Sequence, residues 1–520
     1  MSGDSWRLSR TVLASLVACG VEDFVLCPGS RNTPLSISLV RAGREGQIQL
    51  HRRMDERVAG FLALGVAKVK GVCAVVVTSG SAVGNLLPAV MEAHASGVCL
   101  VVISADRPAT LIGARSNQTT LQSGIFGEHC VHAANLYSSD ANPAAWAAQT
   151  RRALISGLGL RTSRPGPIQL NLGLDVPLLP GKGGGEQDGL GRLIQRYVAD
   201  FELPAARPPI CEKLDYVPGT VVLAGDASPE VGRQAARVAE HAGLPLFAEP
   251  SSNARRSPNA VWNYVPQLVA GRDDEINRVL VYGHPTLSRP VTKLLSGQER
   301  QIVAVGEHAD YPDPGLAVNA VVDAVSLKPD SSGWLGSWLN PENQSKPSRA
   351  QAFVEEFLAA APENVFFGSS NSIRYADAAR SWPETNAYAN RGLAGIDGAI
   401  ATAGGIALAS GQPTAALIGD LTFLYDAGAL LMPAGQPEPD LRVVVLDDDG
   451  GAIFRSLEVG APDFEDVFGE AFAMPHGHDL AAIAAGYGLS SVVVSSPQEL
   501  RDALSKPIRG VGVIVVRLYR

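Results

Sequence analysis

Long apolar runs are missing from this chain. No stretch of its 520 residues approaches the ~20 consecutive apolar residues that span a bilayer. The opening MSGDSWRLSR also lacks the apolar centre of a secretory signal. Both absences lead to the expectation of a soluble, cytoplasmic protein with no membrane partner. Basic excess is missing too: 43 Lys and Arg face 52 Asp and Glu, a formal net charge of −9. General nucleic-acid affinity is thereby excluded, and any anion site has to be a local cluster of cations. Cysteine is scarce. The six, Cys19, Cys27, Cys73, Cys99, Cys130 and Cys211, lie mostly in apolar stretches without zinc-ligand or redox-pair spacing, which indicates buried, reduced thiols. No Gly-x-Gly-x-x-Gly follows a strand and no Walker sequence occurs. What remains is an ordinary globular composition, 46% hydrophobic and 18% charged, in a chain long enough for about two to four domains.

The chemistry gathers in residues 416–458, ALIGDLTFLYDAGALLMPAGQPEPDLRVVVLDDDGGAIFRSLE. An apolar run ending at Ile418 reads as a buried strand that stops at Gly419-Asp420. Helical spacing covers 421–432, and a second β-branched run over 441–446 ends in Asp447, Asp448, Asp449, Gly450 and Gly451. Asp420 and Asp448 stand 28 positions apart, the reach of one strand–helix–strand crossover. Two parallel strands therefore bring carboxylates and glycines to one carboxyl-terminal sheet edge, where open α/β sheets bind ligands. Paired carboxylates suit a hard cation, and glycines let backbone approach a phosphate, so the pattern points to a metal-bridged diphosphate. Either half alone would also serve merely to end a strand in a turn.

Elsewhere the chain repeats the same grammar. A strand over 24–27 runs into Pro28-Gly29-Ser30-Arg31-Asn32-Thr33-Pro34, a loop whose Ser and Arg make a plausible anion site at a helix start. Asp55-Glu56-Arg57 opens a helix that is apolar on most sides. Strands over 72–77, 99–104 and 167–172 complete a first α/β domain. The segment 181–219, with GKGGGEQDG and many prolines, reads as a linker, as does the polar stretch 330–347. Between them short buried strands alternate with helices, the signature of a second parallel sheet. A third begins with a strand over 365–368. His476-Gly477-His478 and His129-Cys130-Val131-His132 have conceivable ligand spacing, but without further ligands in sequence both read as structural.

GDLTFLYD and DDDGGAIF resemble the two halves of the thiamine-diphosphate motif. In their wording they are similar to the family of 2-succinyl-5-enolpyruvyl-6-hydroxy-3-cyclohexene-1-carboxylate synthases. CPGSRNTPL, the Asp-Glu-Arg at 55–57 and the string from Asn390 through Arg391 to Gly398 match the same family, so the likeness spans essentially the whole chain. It departs at two places: the family often has Asn where Asp447, Asp448 and Asp449 stand, and often Lys at Ser288.

The resemblance implies three doubly wound parallel-sheet α/β domains: a pyrimidine-binding domain over 1–180, a central domain over 200–330 and a diphosphate-binding domain over 348–520. It implies decarboxylation of 2-oxoglutarate and addition of the resulting four-carbon unit to isochorismate, with thiamine diphosphate and magnesium, manganese being the alternative cation. Glu56 then contacts the aminopyrimidine and Ile396 wedges the bent cofactor. Gly419, Asp420, Leu421, Gly450 and Gly451 hold its diphosphate, with Asp420, Asp448 and Gly450 on the metal. Ser30, Arg31, Arg107, Gln118, Arg289, Ser370, Arg374 and Arg391 meet the substrates, Ser370 also touches the cofactor, and Ile453 and Phe454 form an apolar wall on it. The implied assembly is a homodimer with shared sites, or a tetramer of such dimers. The alternatives are another thiamine-diphosphate decarboxylase or acetolactate-synthase-like ligase, and a cofactor-binding subunit that has lost catalysis.

Overall fold

The computed structural model of the protein describes residues 4–179, 190–339 and 348–519. It divides into two compact units: residues 1–207 with 404–410 and 431–438, and residues 208–403, 411–430 and 439–520. In the first unit the strands are β1 (Asp23–Leu26), β2 (Gln49–Arg52), β3 (Val72–Val77), β4 (Cys99–Asp106), β5 (His132–Tyr137) and β6 (Ile168–Gly173). They pair in the order β2-β1-β3-β4-β6-β5, every pair parallel. β3, β4 and β6 are buried along their whole length, as central strands are when helices cover both faces. Leu8, Val12 and Leu16 of the helix Asp4–Ala18 sit in the core on one of those faces, with Phe24, Val76 and Leu170.

The second unit holds two larger sheets. The strands are β7 (Cys211–Lys213), β8 (Thr220–Ala224), β9 (Leu246–Ala248), β10 (Arg278–Tyr282), β11 (Gln301–Val305), β12 (Val318–Val322) and β13 (Ala324–Ser326). Five of them form the parallel sheet β12-β11-β10-β8-β9, and β7 pairs with β13. Then β14 (Asn364–Phe367), β15 (Asn386–Ala389), β16 (Thr414–Gly419), β17 (Leu441–Asp447), β18 (Ser490–Val494) and β19 (Val511–Arg517) form β15-β14-β16-β17-β19-β18. All these pairs are parallel, so the α/β class expected from the sequence is the one observed. No helix among the described residues is long and apolar enough to cross a membrane.

Four expectations need correction. The helix expected over 421–432 spans only Asp420–Tyr425, followed by a 3₁₀ turn, Ala427–Leu430. Asp426 is fully buried there and its Oδ2 accepts from the Ala401 amide at 3.0 Å, which turns the chain inward. Within the expected linker 181–219, the part 181–189 lies outside the described residues. The rest contains a helix, Leu190–Asp200, whose Leu190, Leu193, Ile194 and Tyr197 pack on the first core. In the expected linker 330–347, the helix Trp334–Leu339 buries Trp338, and 340–347 lies outside the described residues. The short strands β2, β5, β7, β12, β13 and β15, partly or wholly uncovered, lie outside the strands expected from the sequence. The thiols follow expectation with one exception: Cys27, Cys73 and Cys99 are buried and Cys19 and Cys130 half-buried, whereas Cys211 on β7 is exposed.

Candidate active site

β16 and β17 are adjacent, with Gly419 opposite Leu446, so Asp420 and Asp447 leave the sheet side by side. Both are 2% exposed. Asp420 Oδ1 accepts from the Leu421 amide at 2.6 Å and Oδ2 from the Gly450 amide at 2.8 Å, which ties the first strand end to the loop after the second. Asp447 accepts from the Asp449 amide at 3.2 Å and from the Tyr519 hydroxyl at 3.3 Å. Burial, then the carboxylates of Asp420 and Asp447, push the Asp448 carboxyl up to about 7. Four acidic groups in one half-dry loop repel one another, and a divalent cation with oxygen ligands is the species that relieves such crowding.

Gly450 is required here by its backbone. At φ +134° a Cβ would stand 2.1 Å from the Ala473 carbonyl oxygen. The segment pressed on it runs from a short helix, Glu465–Phe468, into a π-helical turn, Gly469–Ala473, and the Gly451 amide donates to Ala473 O at 2.6 Å. This segment brings in a residue that the sequence reading set aside. His476 Nε2 lies 3.3 Å from Asp420 Oδ2 and 3.7 Å from Asp447 Oδ1. Asp420, Asp447 and His476 are the trio whose ligand atoms all fall within 4.8 Å. The His478 amide donates to His476 Nδ1 at 3.0 Å, which leaves the proton on Nε2, facing Asp420. In that tautomer His476 offers Asp420 a donor rather than offering a cation a lone pair. Asp449, itself at φ +59°, holds the turn by accepting from the His476 and Gly477 amides at 3.2 and 2.8 Å. Only the tertiary fold joins 476 to 420, so spacing in the sequence carries no signal of it.

Three of the expected substrate arginines meet on the run 286–289. Arg391, 5% exposed, donates from Nη2 to Thr286 Oγ1 at 2.9 Å and to Thr286 O at 3.3 Å, and from Nη1 to Ser369 Oγ at 3.3 Å. Arg374 Nη1 donates to Leu287 O at 2.8 Å. Arg289 is exposed and makes a two-pronged ion pair with Glu458, beyond the acidic loop. Ser370, beside Ser369, has φ +76°, a conformation costly for a residue with a side chain and one that clusters at functional sites. Ile396, Ile453 and Phe454 are half-buried, and the Phe454 ring packs 5.7 Å from that of Phe472.

In the first unit the carboxyl ends of β3 and β4 are knitted together. Arg107 donates to Ser79 Oγ and to Asn117 O, both at 2.8 Å, and Gln118 Nε2 donates to Ser79 O at 3.0 Å. Arg31 donates to Leu174 O at 2.9 Å; burial and the neighbouring Arg107 lower its pKa, while Ser30 is exposed. Beneath this edge lies a buried amide network absent from the sequence reading. Gln122 Nε2 and Ser104 Oγ donate to Asn171 Oδ1 at 2.8 and 2.9 Å, and Asn171 donates to Asp106 at 2.9 Å. It fixes the loop that carries Gln118.

Glu56 begins the helix Glu56–Lys70, capped by Asp55, whose side chain accepts from the Arg57 and Val58 amides. The Glu56 carboxylate, half-buried, accepts from Asn85 Nδ2 at 3.4 Å. It faces a cavity of about 470 Å³ lined by Met54, Asp55, Glu56, Arg57 and Asn85.

Residues 7–129 match the family described as thiamine pyrophosphate enzyme, N-terminal TPP binding domain, and residues 369–518 match its C-terminal TPP binding domain. The fold and both matches define a thiamine-pyrophosphate-dependent enzyme, a transferase. Curated relatives narrow the class. The chain is 42% identical to the 2-succinyl-5-enolpyruvyl-6-hydroxy-3-cyclohexene-1-carboxylate synthase of Paenarthrobacter aurescens (strain TC1), over 98% of this chain and 94% of that one. Proteins of the same description from Renibacterium salmoninarum and Kineococcus radiotolerans are 41% and 40% identical, over 99% and 98% of this chain and 95% of each of theirs. The chain belongs to this synthase family.

Proposed function

We propose that the enzyme joins 2-oxoglutarate, with loss of carbon dioxide, to isochorismate, forming 2-succinyl-5-enolpyruvyl-6-hydroxy-3-cyclohexene-1-carboxylate for menaquinone biosynthesis. The observation that carries this reading is a buried carboxylate edge and a three-arginine cluster within one unit. The first suits a metal-bridged diphosphate, and the second suits substrates that are dianions. Bound thiamine diphosphate supplies the electron sink for decarboxylation. Asp420, Asp448 and the Gly450 carbonyl would hold magnesium, or manganese, on its diphosphate, beside Gly419, Leu421 and Gly451. Ile396 would support its ring.

Glu56 would hydrogen-bond the aminopyrimidine of the bound cofactor and hold a proton at its carboxyl oxygen. Arg289, Arg374 and Arg391, with Ser370, would bind substrate carboxylates, and Ser30, Arg31, Arg107 and Gln118 would supply further substrate contacts. Ile453 and Phe454 would exclude water, whose proton would otherwise end the reaction at succinic semialdehyde. The domains would be 1–180, 200–330 and 348–520. The deciding assay supplies thiamine diphosphate, magnesium and 2-oxoglutarate, with isochorismate present or omitted. Expected is the adduct when isochorismate is present; carbon dioxide release at the same rate with semialdehyde as sole product in both tubes would overturn the reading.

The working form would be a cytoplasmic homodimer, or a tetramer of dimers, in which Glu56 of one chain and Asp420 of its partner serve one cofactor. Glu56→Gln chains mixed with Asp420→Ala chains would then recover about a quarter of wild-type activity, since half the random dimers are mixed with one intact site of two. With exchange shown by mass, no recovery would mean that both residues act within a single chain.

A further inference from the structure

Glu249 has no place in the chemistry above, yet it is 1% exposed and sits at the end of β9 beside the arginine cluster. Its oxygens accept from two consecutive amides, Leu287 at 2.9 Å and Thr286 at 3.3 Å. The opposite sides of this run hold the arginines. The peptide unit whose N–H belongs to Leu287 has the Thr286 carbonyl as its other end, and that carbonyl accepts from Arg391. The next carbonyl, Leu287 O, accepts from Arg374. A carboxylate and a guanidinium thus pull on the two ends of one amide, which polarises it and strengthens both bonds. Arg289 follows two residues later as the first residue of the helix Arg289–Leu295.

The other groups around Glu249 are already engaged. Arg255 pairs with Asp377 at 2.8 Å, and the Tyr264 hydroxyl donates to Asp377 at 3.2 Å. Among the described residues Glu249 therefore has no ion-pair cation of its own. Burial, with the like charge of Asp377, pushes its carboxyl up to about 8 against the Leu287 and Thr286 amides and Arg391, so above that pH its charge is felt directly by Arg374 and Arg391.

We propose that Glu249 is a positioning residue for the anion site: by gripping the Thr286–Leu287 amides it aims Arg391 and Arg374, through the carbonyls of the same run, at a substrate carboxylate. This rests on the reading of those arginines as substrate contacts. Neither metal nor diphosphate ligands touch the run, so the effect should appear in substrate affinity and leave cofactor binding alone.

The test uses full-length holoenzyme and begins with wild type, whose failure to form the adduct would defeat the functional reading and not this one. Given an active wild type, and with assays run above pH 8 where Glu249 is ionised, Glu249→Gln keeps the shape but opposes an amide donor to one backbone N–H. Expected is a KM at least ten times higher for one of the two substrates, with kcat changed less than threefold and thiamine diphosphate affinity unchanged by calorimetry. The double variant Glu249→Gln/Arg391→Ala should be scarcely worse than Arg391→Ala, because the first change acts through the second residue. Additive losses, an unchanged KM, or cofactor binding lost in parallel would each overturn the proposal. Should Glu249→Gln not fold, Glu249→Asp draws the carboxylate back from the two amides while keeping its charge. A rise in the same KM then supports the role of the run, and no rise overturns it.

Discussion

The first sheet and the last share one strand order. Numbered from its own first strand, β15-β14-β16-β17-β19-β18 reads 2-1-3-4-6-5, as does β2-β1-β3-β4-β6-β5. Equivalent strand ends also carry chemistry in both, and after the second and fourth strands the signs are exchanged. After the second strand the first sheet presents Glu56 and the last presents Arg391; after the third and fourth, the first presents Ser79 and Arg107 and the last presents Asp420 and Asp447–Asp449. Strand order thus fixes where a crevice opens, while loop residues decide whether it receives a cation or an anion.

If Glu56 is the working carboxylate of the first edge, Glu56→Gln should lower turnover by about 100-fold or more, the scale of a lost proton-sharing group. Cofactor affinity by calorimetry should stay near normal, and a loss of less than tenfold would remove Glu56 from the chemistry. Asp420→Ala attacks the matching role of the last edge. Magnesium-dependent cofactor binding should weaken by about 10- to 100-fold, as for a lost charged contact of about 1.5–3 kcal/mol, and titration with metal measures it directly. Arg31→Ala and Arg391→Ala, one cation from each edge, should each raise a KM by about ten- to a hundredfold on the same scale. Unchanged constants in folded protein would mean the anion pocket lies elsewhere.

The smallest effect belongs to Asp448→Asn, which should stay active with magnesium binding weaker by about 1 kcal/mol. Its pH behaviour sharpens the contrast. Asp448 is held up near pH 7 by burial and by Asp420 and Asp447, so a proton competes with the cation below that pH. Magnesium affinity of wild type should rise as pH climbs through about 7 and then level off. The Asn variant should lack that rise.

Much of the fold was legible because a parallel sheet writes itself as unbroken apolar runs: Val72–Val77 was read to the residue and β17 to within one. β2, β5, β7, β12, β13 and β15 were missed because their faces are only partly covered, and the Leu190–Asp200 helix because Gly-rich chain precedes it. The acidic loop was legible because Asp and Gly cluster locally at strand ends. His476 and Glu249 were not. Each is joined to its neighbours across dozens of positions by fold-dependent contacts, Asp420 and Asp447 for one and the Thr286 and Leu287 amides for the other. Their local surroundings in sequence are unremarkable.

The uneven cover of the thiols has a practical consequence. Burial holds Cys73 and Cys27 far above ordinary thiol ionisation, lifts Cys99 and Cys130 to about 12 and raises Cys19 as well, so five of the six sulfurs present little thiolate to an alkylating reagent. Cys211 stands in the open on β7. A maleimide dye should therefore couple once per native chain, on a strand remote in sequence from both chemical edges, and six times after denaturation. The wild-type protein carries its own single attachment point for fluorescence or spin-label distance work, with no background cysteine to remove.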